Sequence, residues 1–206
     1  ALFYMQQISQ SFDRFLDRDQ ARLQAYTEMY AHGLQGGQAL RNIVLNPSND
    51  KAYENLDKAN TGFEQAYTRT LALAGDAGET DLLKTLKEDW SVTQAAKEKV
   101  RGLAKTNQAE AVLVLNKEET PNWRKVREAL LNQIEKQQQA VGTTRKQISD
   151  QVRRAWILSL ILGGAAVLLG SLVVMVVSES VKRSLDAVSQ SMNDLARGEG
   201  DLTQRM

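Results

Sequence analysis

The stretch HGLQGGQALRNIVLNP, residues 32–47, sets one guanidinium, Arg41, after two carboxamides, Gln35 and Gln38, that flank a Gly36-Gly37 pair. A guanidinium can take a carboxylate through two parallel hydrogen bonds. Each carboxamide can donate and accept at once. A second grouping lies far along the chain: Thr120, Trp123, Arg124 and Arg127. Trp123 and Arg127 are four residues apart and share a helical face. An aromatic floor with one or two cations beside it suits a small anionic ligand. The other readings are a solvated or acid-paired Arg41 and a Trp123 that caps a core. The glycine pair costs roughly 1 kcal/mol per residue relative to alanine inside a helix. Close approach of a neighbouring helix, a backbone open to ligand, or plain irregularity would each account for it.

Catalytic chemistry finds little to work with. The chain has a single histidine, His32, and no cysteine. That excludes a disulfide framework and a thiolate metal site. No Ser/His/Asp set, metal cluster or glycine-rich phosphate loop after a strand is present, so no catalytic residue, cofactor or metal is expected. The 26 basic and 25 acidic residues leave a net charge of +1. No basic face dominates, and nucleic acid is not an expected partner.

Helices must position these residues. The chain has 206 residues and two prolines, and so few prolines suit long helices. Over residues 6–155, apolar residues recur at three- and four-residue steps in four runs. The first holds Ile8, Phe12, Phe15, Tyr26, Met29, Leu40 and Ile43 and stops at Asn46-Pro47. The second runs from Tyr53 through Phe63 to Ala74 and ends at GDAGE. The third runs from Leu83 through Trp90 to Val114. The fourth starts near Thr120-Pro121, with proline as a first-turn residue, and carries Trp123, Val126, Leu130, Ile134, Val141 and Ile148. The fold expected is all-α: an up-down-up-down four-helix bundle with turns at 46–49 and 115–121 at one end and GDAGE at the other.

Trp156 to Val177 is a charge-free run of 22 residues. At 1.5 Å per residue it spans about 33 Å, enough for a hydrocarbon core of roughly 30 Å. Arg153, Arg154, Lys182 and Arg183 flank it. This reads as a transmembrane helix. The chain opens on Ala1, and the apolar residues 1–5 read as the end of an earlier membrane helix. Beyond the span, Val181, Leu185, Val188, Met192 and Leu195 keep a 4-3-4-3 step, a coiled-coil spacing. Gly198 and Gly200 then break the helix.

The segment VKRSLDAVSQSMNDLARGEGDLTQRM, Val181 to Met206, resembles the first helix and the start of the connector of a HAMP signalling module. Its GEGDLT is similar to the connector of chemoreceptor HAMP domains, although Ser184 stands where many carry proline. The order of bundle, membrane helix and HAMP resembles the methyl-accepting chemotaxis receptors. The resemblance implies a homodimer in the bacterial inner membrane, with residues 6–155 periplasmic and residues 178–206 cytoplasmic. It implies a ligand carboxylate bound by Arg41; read from the residues, Gln38, Gln35, Trp123, Arg127, Arg124 and Thr120 complete the candidate site, and the three arginines favour an organic acid, aromatic acid or amino acid as ligand. It also implies a relay to a chemotaxis kinase and adaptor. The sensor half of a histidine kinase, or a membrane-anchored dimeric bundle without a ligand, could share the same segments.

Overall fold

The computed structural model describes residues 2–196, with side chains from Met5 to Asn193. The described residues are helical apart from short turns, and no strand occurs among them. Helix α1, Leu2–Arg14, passes through a π-helical segment, Phe15–Gln20, into α2, Ala21–Leu45. Helix α3 is Asp50–Ala72 and α4 is Ala77–Ala104. Helix α5, Gln108–Val114, passes through a second π segment, Leu115–Glu119, into α6, Thr120–Ala196. The glycine break and connector expected at 198–206 lie outside the described residues.

Local chemistry sets each turn. Side chains of Asn49, Asp76 and Asn107 accept hydrogen bonds from the backbone N–H groups of Ala52, Glu79 and Glu110, at 3.3, 2.8 and 3.1 Å. Each thus caps a helix start by meeting a donor that has no partner within its helix. Two expectations change here. The third helix stops at Ala104 and not Val114, because Asn107 caps a new start and the turn falls at 105–107. Pro121 does lie in the first turn of α6, but no chain reversal precedes it at 115–121: the second π segment runs directly into α6. Proline has no N–H and crowds the carbonyl four residues back, here that of Lys117. The wider turn relieves this: the Thr120 N–H reaches the Leu115 carbonyl, five residues back.

Residues 2–150 and the stretch from Gln151 onward form two units. In the first, two apolar clusters form the core. One joins Leu40, Ile43 and Val44 of α2 to Leu56 of α3, Val100 of α4 and Ala111 of α5, with Leu115. The other joins Tyr26 and Met29 to Phe63, to Leu83, Leu86 and Trp90, and to Trp123, Val126 and Leu130. Phe63 stacks on Trp90 with ring centroids 3.6 Å apart and planes 11° from parallel. Phe12, expected on the first apolar seam, is exposed instead, and so is Leu71 within the second apolar run. The π segment at 15–20 adds a residue to one turn and resets the first seam between Phe12 and Tyr26. Leu71 lies in the last turn of α3, beside the chain reversal.

In the second unit, the side chains of Trp156–Val177 are exposed all around the helix and, apart from Ser159 and Ser171, apolar. A helix apolar on every face needs an apolar medium. Among the described residues, this is one helix long and apolar enough to cross a membrane.

Glycine placement gives a direct check on the packing. A Cβ on Gly33 would enter the Trp123 ring, whereas one on Gly102 meets nothing within 4 Å. Gly33→Ala is expected to destabilise by about 1–3 kcal/mol through overpacking. Gly102→Ala is expected to stabilise by up to about 1 kcal/mol. Chemical denaturation of both variants reads the opposite signs.

Candidate functional site

The seam of α4 runs Leu86, Trp90, Thr93, Lys97, Val100, at steps of four, three, four and three. Thr93 and Lys97 occupy core positions, and both are 0% exposed. On the segment leading into α6, the inward positions are Leu115, Glu119, Trp123 and Val126, and Glu119 is also 0% exposed. A cation and an anion therefore lie inside the core, between the two apolar clusters.

The Lys97 ammonium stands 4.0 Å from the centroid of the Trp90 ring and donates to Asn60 Oδ1 at 3.4 Å. The ring face is negative and favours a cation. Burial pushes the Lys97 amine down to about 8, opposed by the charges of Glu119 and Glu98. Burial pushes the Glu119 carboxyl up, opposed by the charges of Lys97 and Arg41 and by a hydrogen bond from the Thr120 hydroxyl. That hydroxyl donates to Glu119 Oε2 at 3.3 Å, while Oε1 has no hydrogen-bond partner. The two charges attract without meeting as a direct ion pair. For both groups burial outweighs that attraction and shifts the balance toward the neutral form.

The glycines make room for this layer. A Cβ on Gly36 would stand 3.1 Å from Lys97 Nζ, and one on Gly37 would stand 3.0 Å from Arg41 Nη1. Close approach of neighbouring side chains therefore accounts for a glycine pair in the middle of α2.

The residues expected to form one site fall into separate places. Arg41 is exposed, folds back over Gly37 and acts on Glu119, where Thr120 also bonds. Gln35 and Gln38 lie elsewhere, in a groove of about 380 Å³ between α2 and α3. Trp123 is buried against Gly33, edge-on to Trp90 at 6.4 Å between centroids, and packs in the core in place of presenting a face. Arg124 and Arg127 are exposed on α6. Lys97, Glu119 and Asn60 lie outside the expected site. Seam periodicity marks Lys97, since positions 93 and 97 fill the gap between Trp90 and Val100.

A second polar network closes the core at the α3–α4 turn. Arg22 pairs with Glu79 at 3.1 Å with both side chains mostly buried, and the Tyr26 hydroxyl donates to Glu79 at 3.1 Å. Burial, then the Glu79 charge, holds the Tyr26 phenol above the ordinary tyrosine range. The Gly75 N–H donates to Glu79 at 2.7 Å, which ties the α3–α4 turn to the same carboxylate.

Lys97 gives the core a signature in alkaline solution. Its folded value is about 8, below the usual lysine value near 10.4. Between those two values the unfolded chain binds more protons, so stability rises with pH across that window. The melting temperature of the wild-type chain is expected to rise from pH 8 to pH 10 relative to that of Lys97→Met. Parallel curves for the two proteins would contradict the burial of a charged amine.

No protein-family model, curated protein or solved structure matches this chain.

Proposed function

We propose that this chain is the sensing and membrane-crossing part of a chemoreceptor that detects a small carboxylate outside the cytoplasm. In this reading residues 6–155 form an up-down-up-down four-helix bundle in the periplasm, paired as a homodimer. Residues 156–177 cross the inner membrane, and residues 178–206 begin a HAMP module that acts on a cytoplasmic kinase and its adaptor. The chain binds and relays, and it has no catalytic role of its own.

One observation carries the reading. Arg41 and Thr120 act on the same buried carboxylate, Glu119, at the π turn that leads directly into the helix holding the charge-free segment. A ligand carboxylate that takes the Arg41 guanidinium removes a favourable charge from Glu119. Arg124 and Arg127, exposed on the following turns, add positive potential for an anion. Glu119 then responds through its remaining partners, Thr120 and Lys97. A π turn beside a proline can shift register at low cost, because its backbone pairing is already irregular. Coupling of about 1–3 kcal/mol is the usual scale of allostery between two sites.

The test is a thermal-shift screen of the full chain in lipid nanodiscs against organic acids, aromatic acids and amino acids. A ligand that binds the folded state raises the melting temperature. The expected result is a stabilising carboxylate whose affinity, measured by calorimetry, falls at least about tenfold in Arg41→Ala, the loss of one charged hydrogen-bonded contact. Unchanged affinity in that variant, with the fold intact, would remove Arg41 from the site.

A further inference from the structure

The groove between α2 and α3 has a chemistry of its own. Gln35, Gln38 and Asn42 form one stripe of α2 at steps of three and four, and Asn55 and Lys58 line the facing stripe of α3. His32 closes one end; its Nδ1 lies 3.2 Å from Gln35 Oε1. Its volume of about 380 Å³ lies at the small end of the range for small-molecule sites.

Four carboxamides dominate the lining, and no acidic side chain contributes to it. A carboxamide donates and accepts together, which matches the hydroxyl group, itself both donor and acceptor. Lys58 supplies a cation at the rim. A second cation stands behind the floor. Lys97 Nζ and the Ala59 Cβ, a floor atom, lie 3.1 and 3.6 Å from the point where a Gly36 Cβ would stand. Lys97 is wholly buried, and Asn60, at 3.4 Å, is its one hydrogen-bond partner. Its positive charge is balanced only in part, by the Trp90 face and the carboxylates of Glu119 and Glu98, and it stands close behind Gly36 and the floor residue Ala59.

We propose that this groove is a second ligand site, separate from Arg41, and that it takes a small polyhydroxylated carboxylate, an acid of the sugar-acid class. The hydroxyls pair with Gln35, Gln38, Asn42 and Asn55. The carboxylate pairs with Lys58 and gains from the field of Lys97. Arg41 does not line the groove; it folds over Gly37 and its charge acts on Glu119.

The experiment uses the full chain in lipid nanodiscs and gluconate as probe, with glucose and butyrate as controls lacking the carboxylate and the hydroxyls. Calorimetry is expected to show saturable gluconate binding at millimolar concentration or below. Each control should bind at least about tenfold more weakly, the scale of one lost charged or paired polar contact. Lys58→Met and Asn55→Leu should each weaken gluconate about tenfold, while Arg41→Ala leaves its affinity unchanged. A pH series adds a readout that a purely structural Lys97 would not move. The groups facing Lys97 are Glu119 from the π turn, Glu98 from its own helix, and the uncharged Asn60 of α3 and Gly36 of α2. A bound anion favours the charged amine, so gluconate affinity should fall as pH rises through about 8 more steeply in wild type than in Lys97→Met. Absence of gluconate binding, or binding lost in Arg41→Ala and kept in Lys58→Met and Asn55→Leu, would overturn the proposal. Either outcome is distinct from failure of the receptor reading, which is tested at Arg41.

Discussion

An ammonium and a carboxylate opposed inside a helical core are the constraint around which the rest of this structure is arranged. Removing either charge from water costs several kcal/mol, and their mutual attraction recovers that only with good geometry and added hydrogen bonds. Here the recovery is partial. Lys97 has the Trp90 face and Asn60; Glu119 has Thr120 and the field of Arg41. One Glu119 oxygen is left without a partner. Gly36 and Gly37, the π turn and Pro121 all gather at this level, and each departs from what an ideal helix would contain there.

Such a layer is a natural place for two packings of similar energy. The apolar clusters on either side hold the helices through non-directional contacts and aromatic stacking. The polar level between them is instead held by directional and electrostatic terms that respond to any outside charge. A ligand shifts an equilibrium only by its difference in affinity for the two states. In the proposed reading, Arg41 on one flank and the groove on the other are two anion-responsive surfaces against the same buried pair. The proposed route to the membrane then begins at Glu119, one residue before α6.

Much of the helical layout was legible in the residues. Apolar spacing located the helices, Asn46-Pro47 the first turn, and the charge-free run Trp156–Val177 the helix long enough to cross a membrane. The third turn was misplaced because Thr120-Pro121 has the chemistry of a helix start, whereas a π turn lets the same proline sit within continuing helix. Lys97 and Glu119 were passed over because a charged residue in an amphipathic run is ordinarily solvated; only its place on the seam marks it as inward. The candidate site divided for a rotational reason. Gln35, Gln38 and Asn42 follow one stripe of α2 and meet α3, while Arg41 lies off that stripe and acts on Glu119 through its charge. Sequence spacing gives the stripe but not which neighbour covers it.

The most direct test is a double-mutant cycle on the buried pair, with Lys97→Met, Glu119→Gln and the double variant unfolded in the same membrane mimetic. If the two charges support one another across the core, removing one leaves the other buried without compensation. The double variant should then be more stable than the sum of the single effects predicts, with a coupling of at least about 1 kcal/mol. Effects that add to within about 0.3–0.5 kcal/mol would mean that the two charges are independent. The layer would then not be the element that joins the ligand-facing surfaces to α6.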